Sequence, residues 1–117
     1  MPNPTTAIVP RFIVTGNIPN TGTGVQIIGQ NGARNGLVIS NISANIMWLS
    51  PSGVTGVSGT IQSGQMALAA ASTLCFGGVN AGAQVGGVVI QLPFIWTDAM
   101  FALAAAGATN LITVWEF

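Results

Sequence analysis

The aliphatic runs of this chain are four to six residues long, and Gly, Asn, Pro or Ser closes most of them. Turn signals recur roughly every 8 to 12 residues. Asn31-Gly32 and Asn35-Gly36 favour left-handed turn geometry, and Pro93 cannot continue a central strand. With 16 glycines among 117 residues, the chain has little room for long helices. This punctuation specifies many short strands, and therefore two packed sheets or a closed roll.

The strands expected from the pattern are Arg11 to Val14, Val25 to Ile28, Leu37 to Ser40, Ile46 to Ser50, Thr60 to Gln62, Met66 to Leu68, Thr73 to Phe76, Val88 to Leu92 and Leu111 to Phe117. The connector Asn41 to Asn45 is short and polar, so the strands on either side of it are expected to pair as a hairpin. In the last strand, Leu111, Thr113, Trp115 and Phe117 share one face, and Ile112, Val114 and Glu116 share the other. Residues 65–76, where the alanine run could instead form a helix, and residues 97–107 stay open. Thr97 and Gly107 would cap a helix, while Met100 to Ala104 would make a strand. The fold expected is all-β: an antiparallel β-sandwich or jelly roll of about eight short strands. One domain spans residues 11–117, preceded by an extended Pro-rich arm over residues 1–10.

Charge narrows the function. Arg11, Arg34, Asp98 and Glu116 are the only charged residues, 3% of the chain against ~25% in ordinary globular proteins. Nothing from Asn35 to Thr97 carries a charge. Two arginines cannot build a phosphate-binding stripe, so no nucleic-acid partner is expected. No apolar stretch is long and clean enough for a spanning helix, and strands of four to six residues are too short for an outer-membrane barrel. No membrane association is expected. The first residues also lack the basic and apolar segments of a secretory signal.

The chain has no His and no Tyr, and Cys75 stands alone between apolar neighbours. General bases, metal ligand sets and a Cys–His nucleophile are all missing, so neither an enzyme nor a metal or cofactor site is expected. Cys75 reads as a buried thiol, with an intermolecular bridge as the alternative. Asn41-Ile42-Ser43 matches the glycosylation sequon, which without a secretory signal carries no weight. Asp98 is read as fixing a turn, and Glu116 as pairing with an arginine of its own or a neighbouring subunit.

Three stretches carry a resemblance: "ARNGLVISNISANIMWLSPSG" (33–53), "TIQSGQMAL" (60–68) and "FALAAAGATNLITVWEF" (101–117). Here an Arg-led strand runs into an Asn-x-Ser turn and a second strand. A Ser-Gly turn follows, then an Ala/Gly-rich stretch leads to a closing strand that carries an acid. Over residues 33–117 the chain resembles the small β-sandwich decoration, cement and head-fibre-base proteins of tailed bacteriophages, from which it departs in its near absence of charge. The resemblance implies a virion structural protein on the capsid surface, made in the host cytoplasm. It would bind the major capsid protein or other virion subunits and form a homo-oligomer, a trimer first of all. A spike, fibre-base or tail component, a carbohydrate-binding module, and a membrane-embedded or filament-forming protein are the alternatives. The residues expected at subunit contacts are Pro4, Ile8, Val9, Arg11, Arg34, Trp48, Phe94, Trp96 and Glu116.

Overall fold

The computed structural model describes residues 17–51, 66–79 and 81–117, together with the backbone of strands at 11–14 and 55–56. The expected arm over residues 1–10 and the expected strand over 60–62 lie outside the described residues. The elements are β1 (Arg11–Val14), β2 (Gly22–Thr23), β3 (Val25–Ile28), β4 (Leu37–Asn41), β5 (Met47–Ser50), β6 (Thr55–Gly56), β7 (Met66–Leu68), β8 (Thr73–Phe76), β9 (Val89–Leu92), β10 (Met100–Ala104) and β11 (Ile112–Glu116). Among the described residues there is no helix. Both open choices therefore resolve as strands.

Two sheets face each other. One has the order β1-β11-β4-β8-β9 and the other β3-β10-β5-β7; β2 and β6 form a small ribbon. The antiparallel partners β1–β11, β3–β10, β4–β8 and β5–β7 nest inside one another along the chain. The chain therefore reads as one long hairpin, rolled up so that β11 also meets β4 and β10 also meets β5. That is the connectivity of a jelly roll. The β-sandwich expected from the turn spacing is present.

One expected pairing is wrong. β4 and β5 do not form a hairpin: β4 lies between β11 and β8 in the first sheet, and β5 between β10 and β7 in the second. The five-residue linker instead carries the chain from sheet to sheet. Buried amides hold it there. Asn41 Nδ2 donates to the carbonyls of Asn45 (2.8 Å), Leu68 (3.0 Å) and Ala69 (3.1 Å), and Asn41 Oδ1 accepts from Ser43 Oγ (2.7 Å) and Ser43 N (3.0 Å). A strand apolar on both faces has no periodicity to say which sheet it joins, so the length of the connector suggested a hairpin by default.

β9 stands outside the roll. It pairs parallel to β8, with Thr73 opposite Val89 and Phe76 opposite Leu92. A parallel pair needs a crossover. The connecting segment, described at residues 77–79 and 81–88, holds no helix among those residues and lies in part over the outer face of β8.

The core lies between the sheets. Leu37, Ile39, Leu74, Phe76, Ile112 and Val114 point inward from the first sheet and meet Ile28, Met47, Leu49, Leu68, Met100, Ala102 and Ala104 from the second. Alanines 102 and 104 sit at the centre of the second sheet with no exposure. Their intrinsic preference is helical, but pairing on both sides and complete burial outweigh it.

Candidate functional site

Three surfaces and one buried cluster bear on function. The cluster comes first because it removes charge from the surface. β11 turns Glu116 inward, and the loop after β3 brings Arg34 to it: Nε donates to Glu116 Oε1 at 2.8 Å. The rest of the guanidinium donates to backbone carbonyls, Nη2 to Gly29 at 2.7 Å and Nη1 to Trp96 at 2.8 Å and Asp98 at 3.4 Å. Asn31 Nδ2 adds a bond to the same carboxylate oxygen at 3.0 Å. Arg34 and Glu116 are both buried. Two loops and the final strand are thereby tied to one planar cation. Glu116 pairs with an arginine of its own chain, and neither side chain is presented to a neighbour. Asp98 is then the only charged side chain exposed among the described residues.

The first surface is the strip around β9. Val85, Val88, Val89, Phe94 and Ile95 are five of the eleven large apolar side chains exposed among the described residues. Phe94, expected at a contact, is half exposed and packs on Phe76 with ring centroids 5.7 Å apart. Trp96, expected beside it as an anchor, is partly buried against the core and packs at a tilt on the same Phe76, also at 5.7 Å. A small cavity of about 250 Å³ opens there, lined by Leu49, Met66, Leu92, Phe94, Trp96 and Met100 among others.

The second surface is the outer face of the first sheet. Its register sets a row of hydroxyls, Thr113–Ser40–Thr73, beside an apolar row, Trp115–Val38–Cys75. The crossover lies over part of this face. Gly82 O accepts from Thr73 Oγ1 at 3.4 Å, and Val79 O accepts from Gln91 Nε2 at 3.4 Å. Between the crossover and β11 runs an open groove of about 670 Å³, lined by Val38, Ile42, Val79, Ala81, Trp115 and Phe117, with Ser40, Thr73, Gln84 and Thr113 as its polar members. Ser40 and Thr73 bond to each other at 3.1 Å. Cys75, on this face, is fully buried, so the thiol is a packing group out of reach of another chain. Composition did not point to this groove. Its one legible sign was the face shared by Thr113, Trp115 and Phe117 at the end of the chain.

The third surface is the outer face of the second sheet. Trp48 and Leu103 sit opposite one another there and are both buried. Trp48, expected at a contact, is 8% exposed. Neither the Trp48 nor the Trp96 indole N–H has a hydrogen-bond partner among the described residues. Of the other expected contact residues, Pro4, Ile8 and Val9 lie outside the described residues, and Arg11 is described only through its backbone, opposite Glu116 at the edge of the first sheet.

The sequon amide of Asn41 is fully buried, in agreement with a purely structural role. No helix among the described residues is long and apolar enough to cross a membrane. No family model, curated protein or solved structure matches the chain.

Proposed function

We propose that this protein is a structural subunit that works by packing against its neighbours, as a decoration or cement protein of a phage capsid does. One observation carries the reading: with Arg34 and Glu116 paired inside, the described surface holds a single charge, Asp98, and a concentrated apolar strip around β9. Mixed surface charge is what ordinarily keeps small domains apart. A coat of Ser, Thr, Asn and Gln interrupted by Val, Phe and Ile does little to resist association, and suits a protein whose surface is covered at its place of work. The apolar share of a standard interface of ~1,600 Å² contributes on the order of 20 kcal/mol before the costs of association. Repeated around a shell, a small surplus per contact resists expansion. The jelly roll recurs in viral capsid and in lectin domains, which agrees with the reading at the level of fold alone.

The test is to measure the mass of the purified protein in solution and then to mix it with empty shells of a tailed phage. The expected result is a discrete oligomer that sediments with the shells. A monomer that stays in the supernatant would contradict the reading.

The groove over the first sheet favours a second reading, a binding module for a neutral ligand. Trp115, 41% exposed, lines it together with Phe117, and hydroxyls and an amide stand beside them. Quenching of tryptophan fluorescence by a neutral glycan, abolished in Trp115→Ala, is the result this reading expects. Unchanged fluorescence across a glycan panel removes it.

A further inference from the structure

We infer that β9 is an adhesive edge at which two copies of this chain join across a twofold axis, continuing the first sheet from one subunit into the next. The inference rests on the self-association proposed above and names its surface.

Among the described residues, β9 ends the first sheet and pairs on one side only. In a parallel pair, alternate residues turn their backbone groups toward the neighbour. Thr73 N donates to Val88 O at 2.9 Å, which sets the alternation. Val88 and Ile90 therefore bond to β8, while the N–H and C=O of Val89 and Gln91 point away from the sheet. Natural proteins guard such an edge with charge, a proline within the strand, a bulge or a cover. β9 has no charge, its register with β8 is unbroken, and its proline comes only after the strand, at position 93. The exposed side chains of Val88, Val89, Phe94 and Ile95 continue the same edge.

The geometry selects a second copy as the occupant. In an antiparallel pair centred on Ile90, Val89 of one subunit faces Gln91 of the other. Each of these two pairs exchanges both of its bonds, so all four free donors and acceptors are satisfied. Ile90 meets its own counterpart at the non-hydrogen-bonded position. Because Ile90 and Leu92 lie half-buried against the core side of the sheet, the two cores become continuous across the axis. A twofold contact sets each group near its own copy, so a charged edge would repel itself. An edge without charge does not. This contact makes pairs of subunits, and combined with a threefold contact elsewhere on the surface it would link trimers.

Two variants test the proposal. Gln91→Pro removes an N–H that points away from β8, so the fold is expected to survive while the twofold contact loses two bonds and meets the proline ring. Dissociation should become easier by about 100-fold, at roughly tenfold per bond. Ile90→Cys places two thiols at a non-hydrogen-bonded pair, where Cα atoms lie ~4.5 Å apart, within disulfide range. Under a mild oxidant it should give a covalent dimer of native circular dichroism. If the wild-type protein associates but Ile90→Cys gives no cross-link and Gln91→Pro associates as before, the β9 contact is overturned and the general reading stands. If the wild-type protein remains a monomer at every concentration, both fall. If Gln91→Pro does not fold, the cysteine variant decides alone.

Discussion

Arg34 illustrates how much of this fold rests on single polar side chains. The guanidinium is buried and shares its donors among one carboxylate oxygen and three backbone carbonyls. A buried pair of this kind adds little net stability over an apolar replacement of the same shape, but removing the guanidinium leaves the Glu116 carboxylate desolvated without this cation. Arg34→Ala is therefore expected to lower the unfolding free energy by about 3–5 kcal/mol, a large fraction of the ~5–15 kcal/mol available to a domain of this size. Urea titration checks this as a fall in midpoint at constant slope. Arg34→Lys should recover only part of the loss, because an ammonium cannot span the same fork of acceptors. Asn41 is the second such residue. Its amide nitrogen serves three carbonyls with two protons, so at least one proton is shared. Asn41→Ala is expected to cost about 2–4 kcal/mol by the same measurement, since the Leu68 carbonyl loses this buried donor and the Ser43 N–H and hydroxyl lose their acceptor. The sequence showed these residues but not their roles. With four charged side chains in the chain, a Glu–Arg pair was foreseeable; the burial of that pair was not, because nothing local marks the loop over residues 29–34 as interior.

At the scale of elements, the strands were legible and their assembly was less so. Val25–Ile28, Met66–Leu68 and Thr73–Phe76 fall where β-prone runs and turn residues put them, while Met100–Ala104 takes the strand alternative that its alanines left open against a helix. The hairpin expected from Leu37 to Ser50 failed because pairing is a long-range choice, made here by the Asn41 network. β9 likewise gave no sign that it would lie parallel to β8. The crossover that makes this possible depends on two touching residues. Ala71 adopts a left-handed conformation, φ 59°, which an L side chain rarely takes. Gly87 passes so close that a Cβ would fall 1.9 Å from Ala71 O. Substitutions at these two positions should act in opposite directions. Gly87→Ala is expected to destabilise by ~1–3 kcal/mol as the crossover is forced outward. Ala71→Gly is expected to be neutral or to stabilise by up to ~1 kcal/mol, where glycine ordinarily weakens a fold. Thermal melts of the two variants beside the parent check both signs.

For the whole molecule, the rolled hairpin places nearly all strong interactions inside: the core between the sheets, the Arg34 cluster at one end and the amide network at the sheet-crossing turn. What the described residues leave outside carries one charge, Asp98, with the groove beside Trp115 on one face and the edge strand β9. An exterior of this composition is poorly suited to a life as a dispersed monomer, and the central claim is that its purpose is contact with further copies and with a shell. The most direct measurement is the mass of the native protein by analytical ultracentrifugation, across a range from about 1 to 100 μM at moderate salt, a span over which a micromolar contact would declare itself. The account expects a mass that is a multiple of 11.8 kDa and changes little with salt, because no charge pairs hold the contact. A constant mass of one chain across that range, with the protein fully soluble, would contradict it.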